Sequence, residues 1–229
     1  MKKTIAIILA LVLLILTGVA LISSLKTKET VTTSQQDILN YFIEIAFGHE
    51  YNGGTSNQAV LVKWTKPKVT IKTYGDFNQY LTNCLDQVIL DFNDISVTTD
   101  LVINKDSGDI NLYLVPKDRF LSIEPNYVAG NDGYFWMLWD DTYAITSSTI
   151  LINSDYPDKD KERCHLIREE LTQSMGLAKD SDRYEDSIFY GPWRTTLTYA
   201  DIDKELIKIL YSSDLKPGMT VEEVRAHLE

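Results

Sequence analysis

Apolar positions along the chain fall into two rhythms, one helical and one alternating. Ser34-Gln-Gln-Asp37 reads as a capping-box-like start, Ile38, Phe42 and Ile45 follow at helical spacing, and Gly48 ends the segment. Val60–Trp64, Val69–Thr73, Asp100–Asn104, Ile110–Val115 and Ala144–Asn153 read as strands, with Pro67 and the turn Lys105-Asp-Ser-Gly108 as punctuation. A long helix is expected over Phe77–Asn93, with the stripe Leu81, Leu85, Val88 and Phe92 and with Asp76 as N-cap. A second is expected over Asp158–Met175, after Pro157 and closed by Gly176 at C′ with positive φ. Thr198-Tyr-Ala-Asp201 is expected to cap a third helix ending near Tyr211, and Thr220 to start a short terminal one. Residues 124–142 lack a period but hold Tyr127, Tyr134, Phe135, Trp136 and Trp139, and are expected to be irregular, either lining a binding cleft or buried as core. This order predicts an α/β (α+β) layered domain, with a mixed sheet of four or five strands, two long helices packed on one face and a C-terminal helix.

The N-terminus follows a different pattern. Lys2 and Lys3 precede an uncharged run of 22 residues, Thr4–Leu25, which suits an export signal and is long enough to span a bilayer. Either a membrane anchor or a cleaved signal peptide fits residues 1–25, with Gly18-Val19-Ala20 as small residues for cleavage. Residues 26–33 read as a polar tether, and residues 34–229 as a single domain of extracytoplasmic location, held at the membrane or secreted. Without residues 1–25 the chain keeps 20 Lys and Arg against 33 Asp and Glu, a net charge of −13. Such a surface repels phosphate backbones, so nucleic acid is excluded as a partner. Cys84 and Cys164 are the only cysteines. Export allows a disulfide, and two buried thiols is the other reading.

Candidate chemistry concentrates in the second long helix. On a helical wheel Cys164, Ile167, Leu171 and Met175 form the core stripe, while Leu166, Glu169, Glu170 and Gln173 lie on the other side. Glu169 and Gln173 stand on adjacent turns, and His165 reaches the same edge from one turn earlier. Zinc proteases use this spacing, with ligands at i and i+4 and a Glu after the first as general base. A Gly three residues after the second ligand then turns the chain toward a third.

In this chain the frame reads Glu169, Glu170, Gln173, Gly176 and Lys179. The stretch EELTQSMGLAK resembles the metzincin pattern HExxHxxGxxH, with the base position and glycine kept and all three ligand positions changed. Asp186-Ser-Ile-Phe189-Tyr-Gly191 resembles the Met-turn with Phe189 for Met. Phe77–Asn93, Ser147–Ile152 and Leu197–Tyr211 resemble the first helix, the strand before the active-site helix and the C-terminal helix of that fold. The chain also resembles a bacterial exported family of unknown function, through Lys63-Trp64, Glu169–Gln173, Gly176-Leu177, Ser187-Ile188-Phe189 and Leu215-Lys-Pro-Gly-Met219. That family carries EExxQ as its rule, so the resemblance implies a metzincin-like fold without the zinc ligands.

Several roles follow for these residues. Glu169, Glu170 and Gln173 either cap a cleft structurally or form an inherited site, with His165, Lys179 and Asp180 around it. Glu and Gln are oxygen donors and Lys179 is an ammonium, so no metal and no cofactor are expected; the nearest alternative is a weak Ca²⁺ or Mg²⁺ site at Glu169, Gln173 and Asp180. Lys179 or a neighbour is expected to neutralise the acid pair. Two functions compete: a binding or scaffold module for an extracytoplasmic peptide, protein or glycan, and a peptidase-like hydrolase with Glu170 as general base.

Overall fold

A computed structural model describes residues 34–48, 60–155, 159–212 and 214–228. The run Thr4–Leu25, the tether, the loop at Gly53-Gly54, His49 and Pro157-Asp158 lie outside the described residues. Among the described residues, no helix is long and apolar enough to cross a membrane.

Five strands form one sheet: β1 (Lys68–Tyr74), β2 (Asp100–Ile103), β3 (Ile110–Val115), β4 (Gly133–Trp139) and β5 (Ile145–Asn153), in the order β2-β1-β3-β5-β4. The first four strands in that order are parallel, and β4 runs antiparallel to β5 at the edge. The helices are α1 (Gln35–Ala46), α2 (Gln79–Ile95), the single turn α3 (Phe120–Ile123), α4 (Asp160–Gln173), α5 (Asp201–Leu210) and α6 (Val221–Leu228). The architecture is thus mixed α/β with two long helices, α2 and α4.

Alternation within the strands decides the layers. Val69 and Ile71, Ile110 and Leu112, and Ile150 and Ile152 point to one side, where they join Leu81, Leu85, Val88 and Phe92 of α2 and Ile167 and Leu171 of α4 in the main core. Leu151 and Tyr134 point to the other side and meet Phe120 from the segment that follows β3.

Four expectations are corrected. Residues 124–142 are not irregular throughout, because they contain β4. Tyr134 and Phe135 are both buried, one on each side of the sheet, so no polar residue marks the period of two. Val60–Trp64 is not a strand; it forms only a bridge between Lys63 and Ala144, and its side chains brace the helix ends instead. The N-cap of α2 is Asn78, whose Oδ1 accepts from Leu81 N at 3.0 Å, and not Asp76. At α5 the N-cap is Ala200 rather than Thr198. Alanine offers no acceptor, and Asp203 instead accepts from Ala200 N at 2.9 Å.

Two links fix α4 to α2. Cys84 and Cys164 form a disulfide, with their Cα atoms 5.8 Å apart across 80 residues of sequence. One turn beyond, the buried Arg168 meets Asp91 at 2.6 Å and lies 4.5 Å over the Tyr199 ring. Closing so long a loop removes much freedom from the unfolded chain, an effect of about 2–4 kcal/mol. Replacing both cysteines by serine is expected to lower unfolding free energy by about that amount with helix content retained. Denaturant titrations of the variant beside the oxidised protein measure it, and equal midpoints would show that the link contributes nothing.

Candidate functional site

The end of α4 sets the geometry of the site. Gly176 has φ of 107°, and a β-carbon there would lie 2.5 Å from Val62 O, so the chain can reverse at this point only as glycine. The carbonyls that the helix end leaves over find side-chain donors. Trp64 Nε1 donates to Ser174 O at 3.0 Å and the Tyr211 hydroxyl to Met175 O at 2.7 Å. The adjacent Lys63 does the same for α5, donating to Leu210 O and, at 3.1 Å, to Leu215 O. Burial lowers the Lys63 pKa to about 8. Leu61 pairs through its backbone with Gly218 and Met219, so the Lys-Pro-Gly turn is anchored to the same segment.

Beyond Gly176 the chain runs back along α4. Ser181 N donates to Phe189 O at 2.8 Å, and this pairing carries Asp180 and Tyr190 to the side of the helix. The turn at Ser187-Ile188-Phe189 is fixed from beneath by Asp203, which is fully buried. Its carboxylate accepts from Ser187 Oγ at 2.6 Å, Ile188 N at 2.9 Å and Ala200 N at 2.9 Å. The Tyr41 hydroxyl reaches Ser187 Oγ at 3.0 Å. Burial outweighs these bonds and raises the Asp203 pKa to about 6.

The result is a cleft of about 250 Å³ beside α4, lined among others by His165, Glu169, Glu170, Gln173, Asp180 and Tyr190. Inside it the side chains engage one another. His165 Nε2 lies 3.4 Å from Glu169 Oε2, while its Nδ1 lies 2.8 Å from Thr196 O. The carbonyl can only accept, so Nδ1 carries a proton. Burial lowers the His165 pKa despite that bond. Gln173 Nε2 donates to Asp180 Oδ1 at 2.8 Å. Burial outweighs that bond and raises the Asp180 pKa to about 6, with the Asp182 charge adding to it. Glu170 is 4% exposed, and its carboxylate packs on the start of β4, where a β-carbon on Gly133 would collide with Glu170 Oε1. On the opposite wall Asp132 bonds Lys117 at 2.7 Å and the Asn153 amide at 2.9 Å. Burial works to raise its pKa, but these two partners hold it below the usual carboxylate range.

One reading of the motif changes. Lys179 does not line the cleft: its side chain lies against Gly48 at the end of α1, because the turn at Gly176 directs it to that side. Several lining residues gave no periodic signal. Trp193, 61% exposed, stands edge-on to His165 at 5.9 Å between ring centres, and Arg194 joins it from a Gly-Pro loop. Asp203 sits at the third position of a helix, where an acid reads as a capping residue. Among the described residues, no three His, Cys, Asp or Glu side chains converge as a metal-holding group.

Asp180 and Asp203 tie stability to pH. Each has its folded pKa raised above the unfolded value, so the folded state binds more protons between about pH 4 and 6. Their contribution is therefore present at low pH and lost as pH rises through about 6. His165, with its pKa lowered, acts in the opposite sense on approach to its unfolded value. Asp180→Asn keeps an acceptor for Gln173 and removes the buried charge. Its stability relative to the native chain is expected to rise from pH 4.5 to 6.5, measured by urea denaturation at each pH, and a pH-independent difference would contradict it.

A family model described as "Protein of unknown function (DUF2927)" matches residues 35–229. Two solved structures, both titled as myroilysin, resemble the chain. One is 12% identical, with a TM-score of 0.43 over 67% of this chain and 97% of that one. The other is 11% identical, with a TM-score of 0.40 over 72% and 89%. No curated protein matches.

Proposed function

We propose, from the premise that the chain belongs to the DUF2927 family of proteins of unknown function, that it is a binding module rather than a zinc enzyme. The observation that carries this reading is the pairing inside the cleft. Glu169 and Gln173 occupy the i and i+4 positions where zinc proteases place ligands, and each has a cleft side chain against it: His165 Nε2 lies 3.4 Å from Glu169 Oε2, and Gln173 donates to Asp180. Carboxylate and amide oxygens are weak donors for zinc, and Lys179 lies away from the cleft. What remains is a concave polar surface beside the start of an edge strand, β4. An edge strand offers backbone donors and acceptors to an extended segment, so a polypeptide is the ligand that fits. The apolar run at Thr4–Leu25, with Lys2 and Lys3 before it, supports display of the domain outside the cytoplasm on a membrane anchor.

A second reading is favoured by Glu170, which lines the same cleft as Glu169 and Gln173 and occupies the general-base position of the frame. In that reading it activates a water held between its neighbours, and the protein is a hydrolase.

One experiment separates the two. Thermal melts of the protein with Zn²⁺, Ca²⁺, Mn²⁺ or extended peptides are expected to shift only with peptide, since a ligand specific to the folded state raises Tm. Incubation with those peptides is expected to leave them intact. Cleavage that is lost in Glu170→Gln with the fold retained would replace the binding module with the hydrolase.

A further inference from the structure

The charge and shape of the cleft decide which side chains of a polypeptide it can take. Four carboxylates line it, those of Asp132, Glu169, Glu170 and Asp180, and the charge of Asp132 is met by Lys117 at 2.7 Å. Arg194 is the one Lys or Arg among the described lining residues, and it bonds Glu185 at 2.9 Å and lies 5.3 Å from the Tyr190 ring. The potential inside is therefore negative, on a chain that already carries a net charge of −11.

The carboxylates come from three separate parts of the chain: α4, the segment after Gly176, and the loop that precedes β4. They do not converge on a point among the described residues, so a small ion would touch too few of them. A cationic group on a long stem can reach between them. The wall suited to that stem is Trp193, 61% exposed, which faces both this cleft and an adjoining chamber of about 320 Å³ bordered by Asn153, Arg163 and Leu166. An indole takes alkyl carbons against its surface and a cation over its face.

We infer that the cleft selects a lysine or arginine side chain of an extended polypeptide, its charged head between Glu169 and Asp180 and its stem across Trp193. This rests on the binding-module reading and adds charge selectivity to it.

The test uses the full chain and three five-residue alanine peptides with lysine, norleucine or glutamate at the centre, followed by tryptophan fluorescence and calorimetry. The lysine peptide is expected to bind about tenfold or more tightly than the norleucine one, and the glutamate peptide least well. Glu169→Gln and Asp180→Asn are each expected to bring the lysine and norleucine peptides to similar affinity, whereas a merely structural role would weaken both and keep their ratio. Circular dichroism of both variants checks the fold. Equal binding of lysine and norleucine peptides would overturn the charge selectivity and leave the binding module standing. No binding of any peptide would overturn both. Displacement of the lysine peptide by millimolar Ca²⁺, lost in Asp180→Asn, would assign the carboxylates to an inorganic cation and overturn the inference.

Discussion

The reversal of the chain at Gly176 is the constraint on which the rest of the site depends. The backbone there passes so close to Val62 O that only glycine can occupy the position. A helix end held this tightly leaves carbonyls without helical partners, and a buried carbonyl without a donor is costly. Trp64 and Tyr211 supply the donors from two other parts of the chain. One short extended segment, residues 61–64, therefore serves the ends of α4 and α5 and the turn before α6 together. That is a physical reason for Lys63 and Trp64 to stand side by side in the middle of a core.

Around that fixed point the molecule tolerates unusual burial of charge. Asp203 is fully buried, yet it accepts three hydrogen bonds that organise the Ser187–Phe189 turn. Burying a carboxylate raises its pKa, and the bonds only partly offset this. Arg168 presents a comparable case between α4 and α2, with Asp91 on one side and the Tyr199 ring on the other. The Arg168–Asp91 pair and the Cys84–Cys164 disulfide both join the two long helices.

The concavity of the cleft is set by backbone geometry, through α4 and the glycine that ends it. The side chains decide only what the concavity contains. Glu169 and His165, and Gln173 and Asp180, form lateral pairs along the wall instead of a common centre. The potential stays negative, and the space next to Trp193 stays open.

The sequence by itself determined the element order, the core stripes of α2 and α4 and the glycine that ends α4, because these follow from local period and backbone sterics. It also set the negative charge of the chain and brought Glu169, Glu170 and Gln173 onto one helix side. It could not show β4, whose apolar residues on both faces hide the alternation. Nor could it choose between a disulfide and two thiols at Cys84 and Cys164, since 80 intervening residues set no distance. Lys179 was misplaced because a spacing rule gives the residue but not the direction of the chain after a left-handed glycine. Asp132, Trp193 and Asp203 reach their places through contacts between segments far apart in sequence. Only tertiary packing decided which of the acids are buried, which are paired and which face the same space, because each of those depends on what lies across from it.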